Sequence, residues 1–300
     1  MTSAERLIEN QTVIERLQSN FHEIGMKTDR WWSTWAPVWD HIEDRHFGTR
    51  TTEALSDRIT SDVLIIGAGQ GLIVRYLKDK GIRAVGLDIN PDMVRTAKEK
   101  YNIDIVEGDA GSLPFDDETF NTVIISSGVV DYGADEAAIA RFISEAKRVC
   151  RIGGIIFAAF YRIVPPIEKI YRQIGVIDNH NIYHMIRIFE VNEIGARRPF
   201  KCMYRIHQWS GMDLIRAFFY WTWVGITLPK EFMGERDWIN DIFRKAAEMG
   251  IEKKTLLDSV PDKIPYRAKT DIEALLGRIN VRYREIMEFD DCSVVVIEKA

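Results

Sequence analysis

Residues Val63–Gly71 read VLIIGAGQG, and the rest of the chain takes its meaning from them. The apolar, largely β-branched run Val63–Ile66 has the pattern of a strand buried on both faces, as in a parallel sheet. Gly67, Gly69 and Gly71 break it, and Leu72, Ile73, Tyr76 and Leu77 begin a helical pattern. A strand, a glycine turn and a helix N-terminus together form a pocket. Glycine lets the backbone approach a ligand closely, and the first helical turn offers unpaired N–H groups and positive potential. A second strand, Arg83–Leu87, ends at Asp88. A carboxylate there can accept two hydrogen bonds from a ribose diol. The combination predicts a site for a nucleoside-containing cofactor.

The strand-helix rhythm continues downstream. Asn90 can cap a helix that has Pro91 at its first position and Met93, Val94, Ala97 and Tyr101 along one face. Ile103–Glu107 reads as a third strand ending in Gly108-Asp109-Ala110, and Thr122–Ile125 as a fourth ending in Ser126-Ser127-Gly128. From Asp135 a helix runs with Ile139, Phe142, Ile143, Ala146, Val149 and Cys150 on one stripe, stopped by Gly153-Gly154. Ile155–Phe160 is the fifth strand. Five strands alternating with helices imply an α/β fold, a doubly wound parallel sheet with its ligand at the carboxyl ends of the strands.

The flanks differ in character. Residues 1–25 read as a helix with Leu7, Ile14, Leu17, Phe21 and Ile24 on one side, a pattern that fits docking on the body, a dimer seam or a lid. Trp31, Trp32, Trp35 and Trp39 follow. The helical spacing of Trp32, Trp35 and Trp39 favours core packing, with a cation–π role over a ligand as the sharper alternative. Residues 162–268 break the rhythm with Pro165-Pro166, the cluster His180, Tyr183 and His184, and an aromatic block at Phe218–Trp223. Asp271–Leu276 returns to helix, and Arg282–Glu288 with Ser293–Ile297 forms a hairpin around Asp290-Asp291. Four segments result: an N-terminal helical segment or lid (1–60), a cofactor-binding core (61–161), a mainly helical cap insertion on the substrate side (162–268), and a closing helix and hairpin (269–300).

Composition narrows the function. A net charge of −5 and a pI near 5.8 argue against nucleic acid as the main partner. Cys150, Cys202 and Cys292 form neither a disulfide framework nor a CxxC pair, which fits a reducing compartment. The N-terminus lacks the basic and apolar regions of a signal peptide, and the uncharged stretch Ala217–Pro229 is too short to span a bilayer. The expectation is a cytoplasmic protein with no membrane span. The histidines include no HxH or HExxH pair, so no metal site is expected.

Taken together, VLIIGAGQG, VGLDINPDMV (Val85–Val94), EGDAGSLPF (Glu107–Phe115), FNTVIISSGVVDY (Phe120–Tyr132) and AKRVCRIGGIIFAAF (Ala146–Phe160) resemble the class I S-adenosylmethionine-dependent methyltransferases. The resemblance is to the small-molecule, quinone-biosynthesis-like group, methyltransferase type 11. RYREIMEFDDCSVVVIEK (Arg282–Lys299) is similar to that family's final hairpin. The resemblance implies a Rossmann-like seven-stranded sheet with a reversed last strand, and S-adenosyl-L-methionine as cofactor. It implies that Gly67, Gly69 and Gly71 let the backbone pass the methionine and ribose, and that Asp88 binds both ribose hydroxyls. Asp109 would accept from the adenine amine with the Ala110 N–H facing the ring, Ile89 and Leu113 would flank the adenine, and Ser126 would sit near the methionine end. One residue departs from the pattern: Ile65 stands where the family usually carries an acid.

The implied reaction is in-line methyl transfer to an apolar or ring-bearing small molecule, with His180 and His184 as candidate bases and Tyr161 as an orienting group. His207, Tyr183 and Tyr204 are further candidates, and the N-terminal helix or the cap could join two copies in a homodimer. A non-catalytic regulatory protein that binds the same cofactor is the alternative. A nicotinamide-dependent oxidoreductase is disfavoured by Leu72 at the third glycine position of a dinucleotide fingerprint.

Overall fold

A computed structural model describes residues 31–41, 47–131, 135–162, 241–252, 255–256, 267, 269–289 and 292–300. The helix expected over 1–25 lies outside the described residues, as do His180, Tyr183, His184, Tyr204, His207 and the aromatic block at 218–223.

The core is one seven-stranded sheet in the order β3-β2-β1-β4-β5-β7-β6. Its strands are β1 (Val63–Ile66), β2 (Ala84–Asp88), β3 (Ile105–Glu107), β4 (Phe120–Ile125), β5 (Cys150–Tyr161), β6 (Glu285–Glu288) and β7 (Cys292–Glu298). Strands β1 to β5 are parallel, and β7 runs antiparallel between β5 and β6. The chain turns outward in opposite directions from β1, toward β2 on one side and β4 on the other. That divergence opens a crevice at the carboxyl ends of β1, β2 and β4.

Two apolar layers hold the sheet. On one face Leu64, Ile66, Val123, Ile125, Ile156 and Ala158 pack on Ile139, Ile143 and Ala146 of α5 (Glu136–Val149) and on Ile272 and Leu276 of α6 (Lys269–Arg278). On the other face Val63, Ile65, Ile124, Phe157, Val294 and Val296 pack on Ile73, Val74 and Leu77 of α2 (Leu72–Asp79) and on Ala97 of α3 (Pro91–Tyr101). Phe47, Leu55 and Ile59, which flank α1 (Thr49–Ala54), close that second layer. Gly86 makes this layer thin enough for the loop after β1. A Cβ there would stand 2.5 Å from Ile105 Cδ1 and 2.8 Å from Ala68 Cβ.

The expected caps are present. Asn90 Oδ1 accepts from the N–H groups of Asp92 and Met93 at 3.0 and 3.1 Å, and Asp135 Oδ1 accepts from Ala138 N at 2.7 Å. Four local expectations are corrected. Gly153-Gly154 does not stop the preceding helix. That helix ends at Val149, and β5 begins at once, pairing Cys150 with Phe120 before a register shift. The glycines sit inside the strand, where a Cβ on Gly154 would meet Cys150 Sγ at 2.6 Å and the Asn121 carbonyl at 2.7 Å. The third strand spans Ile105–Glu107 rather than starting at Ile103, and the hairpin's first strand begins at Glu285 rather than Arg282. In the tryptophan segment, residues 31–35 are helical and Ala36–His41 tightens to a 3-10 helix, so one helical face does not carry all the indoles. Trp31 and Trp35 are buried, while Trp32 and Trp39 are half-buried.

Candidate functional site

Three loops meet at the carboxyl ends of β1, β2 and β4. The glycine loop leaves β1 with Gly67 N and Ala68 N both donating to the Leu87 carbonyl, at 2.8 and 2.9 Å. Gly67 has φ +74°, and a Cβ on it would stand 2.4 Å from Val129 Cγ2. Gly67→Ala is therefore expected to cost about 1–3 kcal/mol, from a disfavoured backbone conformation and a clash together, read as a lower urea midpoint at unchanged slope.

Asp88 ties the glycine loop to the tip of β2. Its Oδ2 accepts from Gly69 N at 2.8 Å and its Oδ1 from Asn90 N at 2.9 Å. Each oxygen keeps lone-pair capacity beyond these bonds, enough for a vicinal diol. Burial pushes the Asp88 carboxyl up to about 6, against the downward pull of the Asn90, Gly69 and Ile89 backbone N–H groups. Beside it Ile89 is 58% exposed, an aliphatic surface on a polar rim. At the tip of β3, Gly108 N donates to the Asp88 carbonyl at 3.0 Å. Asp109 is exposed, and its Oδ1 accepts from Gly111 N at 2.7 Å, so it shapes the turn while Oδ2 has no protein partner among the described residues. Ala110 and Leu113 are buried just behind it.

At the fourth tip, Ser126 N donates to the Ile66 carbonyl at 3.0 Å, and Ser126 Cβ lies 3.4 Å from a Cβ position on Gly67. Ser126 thus borders the glycine loop and leads into α4 (Ser127–Asp131). The Trp32 ring reaches within 3.4–3.5 Å of a Cβ position on Gly128, so the tryptophan segment covers this tip. Asn90 Nδ2 donates to Ser33 Oγ at 3.2 Å, and the Gln70 side-chain amide donates to the Ala36 carbonyl. Trp32 packs on Trp31 and meets Trp39 edge to face at 4.8 Å.

A buried ion pair lies to the side of these tips. The Arg267 guanidinium bonds Asp131 Oδ1, and Asp131 Oδ2 accepts from Tyr161 N at 2.6 Å. Burial raises the Asp131 carboxyl to about 7 while Arg267 and the Tyr161 N–H pull it back. Tyr161 is buried at the end of β5, beyond β4 from the glycine loop.

The structure thus brings Gly67, Gly69, Asp88, Ile89, Asp109 and Ser126 to the carboxyl ends of the strands, with Ala110 buried behind Asp109, Gly71 at the start of α2 facing Ile103 and Ile105, and Tyr161 set apart from the glycine loop. Gln70, Ser33 and the pair Asp131–Arg267 were not among the expected residues. Gln70 occupies a variable position of the glycine pattern, and Asp131 and Arg267 lie 136 residues apart, so no local pattern marks either. Ile65, at the family's acidic position, is 1% exposed and part of the apolar layer. Among the described residues no cluster of three or more His, Cys, Asp or Glu could hold a metal ion, and no helix is long and apolar enough to cross a membrane.

Residues 64–158 match the family described as a methyltransferase domain. A demethylmenaquinone methyltransferase of Beutenbergia cavernae is 34% identical over 131 residues, 43% of this chain and 53% of that protein. A second, from Renibacterium salmoninarum, is 35% identical over 98 residues, covering 32% of this chain and 40% of that protein. Phthiotriol/phenolphthiotriol dimycocerosates methyltransferase 1 of Mycobacterium ulcerans is 30% identical, covering 40% of this chain and 43% of that protein. The chain spans about half the length, or less, of these curated relatives.

Proposed function

We propose that this chain, whose residues 64–158 match the methyltransferase domain family, transfers a methyl group from S-adenosylmethionine to an apolar or ring-bearing small molecule. The observation that carries the reading is Asp88: one carboxylate joins the glycine loop to the second strand tip and keeps lone pairs for a sugar diol. The neighbouring groups fit the rest of an adenosyl ligand. Ile89 offers an exposed apolar surface for a purine, Asp109 Oδ2 an acceptor for its amine, and Ser126 borders the glycine loop where the methionine end would lie.

When bound, the cofactor supplies a methyl group already activated on a sulfonium. The chain's task is then alignment and the exclusion of water, with proton removal where the acceptor needs it. Asp88 would fix the ribose, the glycine loop would pass the methionine part, and the tryptophan segment would cover the crevice. The Ile65 side chain has no polar atom, and the glycine loop is held by Gly67 N and Ala68 N on the Leu87 carbonyl, by Gly69 N on Asp88 and by Gln70 on the Ala36 carbonyl. Residues 61–161 and 269–300 would form the cofactor-binding body, 1–60 the lid, and 162–268 the acceptor side, with His180 and His184 as bases and Tyr161 as orienting group. The relatives are named for demethylmenaquinone and for phthiotriol/phenolphthiotriol dimycocerosates, and an acceptor of that broad class fits the aromatic composition of the insertion. We place the activity in the cytoplasm.

Calorimetric titration tests the reading. S-adenosylmethionine and S-adenosylhomocysteine should bind while NAD does not, and a chain indifferent to both adenosyl compounds would overturn it. The pH profile has a definite sign. A charged Asp88 accepts from both ribose hydroxyls, whereas the neutral acid must donate one proton. Affinity for S-adenosylhomocysteine should therefore fall as pH drops through about 6. The contribution of Asp88 to folding runs the other way. Its folded-state value lies above the ordinary 3.8, so the folded state binds more protons, and stability from this group rises as pH falls from 6 toward 4. Asp131 adds a melting slope of the same sign, so the part of that slope lost in Asp88→Asn, together with the opposite slope for binding, identifies the group.

A further inference from the structure

Two carboxamides, one on each cofactor loop, give their N–H groups to the same short segment. Gln70, inside the glycine loop, donates to the carbonyl of Ala36, and Asn90, two residues beyond Asp88, donates to Ser33 Oγ. Asp92 in the first turn of α3 also hydrogen-bonds Ser33. The Gln70 side chain is 1% exposed, its nitrogen touches Met93 Sδ at 3.9 Å, and its buried Oε1 has no hydrogen-bond partner among the described residues. A buried polar side chain held with one end unsatisfied is tolerated where the position of that side chain matters.

The segment also reaches the other side of the site. Trp35 is fully buried, and its indole N–H donates to the Leu256 carbonyl at 3.1 Å, across 221 residues of sequence. Trp32 meanwhile lies against Gly128 at the fourth strand tip. Residues 31–39 therefore contact the loops after β1, β2 and β4 and the insertion at once. A shift of the glycine loop must move Ala36 or break its bond to Gln70.

We propose that Gln70 is a positioning residue: it docks residues 31–39 on the glycine loop, so that cofactor binding fixes this strap and, through Trp35 and Leu256, the acceptor side. The proposal rests on the cofactor reading above and adds a coupling between the two halves of the site. In a reaction that must exclude water, the coupling makes an ordered acceptor side depend on a loaded cofactor site.

Hydrogen exchange on the full chain, with S-adenosylhomocysteine as probe, reads this directly. In the wild type the probe should slow exchange at least about tenfold at 31–39 and at 255–256 as well as in the loops around 67–71 and 88–90. Gln70→Leu, which keeps bulk but removes the donors, should still bind the probe, about three- to tenfold more weakly as expected for loss of one hydrogen bond. It should keep the slowing in the loops and lose it at 31–39 and 255–256. Trp35→Phe should lose it at 255–256 alone. Should Gln70→Leu fail to fold, Gln70→Met, a more pliant side chain that likewise lacks the donors, tests the same bond to Ala36: a reduced slowing at 31–39 supports it and an unchanged one overturns it. Wild-type slowing confined to the loops, or Gln70→Leu behaving as wild type, also overturns it. A wild type that does not bind the probe overturns the cofactor reading and this proposal with it.

Discussion

Asp88→Ala should weaken S-adenosylhomocysteine binding by at least about 100-fold, measured by calorimetry at pH 7.5 or above. Two hydrogen bonds to an ionised acceptor contribute about 3–6 kcal/mol, and each 1.4 kcal/mol is tenfold in affinity. The substitution also leaves Gly69 N–H and Asn90 N–H without their acceptor, so the glycine loop loses its tie to β2. Asp88→Asn separates the two effects. It keeps a side-chain carbonyl for one loop N–H but removes the charge, so it should bind more weakly than wild type and lose the pH dependence near 6. Because burial raises the Asp88 carboxyl, Asp88→Asn removes a buried charge at neutral pH but leaves one loop N–H without an acceptor, so it should lower the melting temperature less than Asp88→Ala does. Unchanged affinity in Asp88→Ala would remove the ribose role altogether.

Arg267→Met should destabilise the fold by about 3–5 kcal/mol at pH 8, the usual cost of stranding a buried charge. Asp131 has a fully buried side chain, and burial already raises its carboxyl to about 7 with the guanidinium present. Without Arg267 it rises further. At pH 8 folding must then either bury a lone carboxylate or protonate it at a cost, whereas at pH 6 protonation comes easily. The deficit should therefore shrink as pH falls, measured by urea denaturation at both values. Asp131→Asn combined with Arg267→Met should recover most of the loss, since no charge is left unpaired. An equal deficit at both pH values would mean that Arg267 acts by packing, its guanidinium lying 5.5 Å from the Phe160 ring centroid.

What was legible in the sequence is what local physics writes there. The run Val63–Ile66, the turn residues Gly67, Gly69 and Gly71, and the Asn90-Pro91 start of α3 each depend on neighbours a few residues away. They fixed both the sheet and the rim of the site. Asp88 was legible because the end of a strand places a carboxylate where that rim must be. The Gly153-Gly154 pair misled because glycine marks a helix end and a strand bulge alike. Only the contacts of Gly154 with Cys150 and Asn121 show which one applies. Gln70, Ser33 and the Asp131–Arg267 pair were hidden for a different reason. Their partners are brought in by the fold from distant sequence, and nothing in the composition of either partner announces the other.

The exposed Ile89 carries a consequence for selectivity among purines. An aliphatic side chain offers dispersion and desolvation, which any flat heterocycle satisfies, so it cannot tell one base from another. Under the proposed pose the distinction falls to Asp109 and the neighbouring Ala110 N–H: the carboxylate oxygen left over on Asp109 welcomes an exocyclic amine and repels an exocyclic carbonyl. An inosyl analogue of the cofactor would then be rejected by the charge at position 109, and an Asp109→Asn chain would lose much of its ability to refuse it.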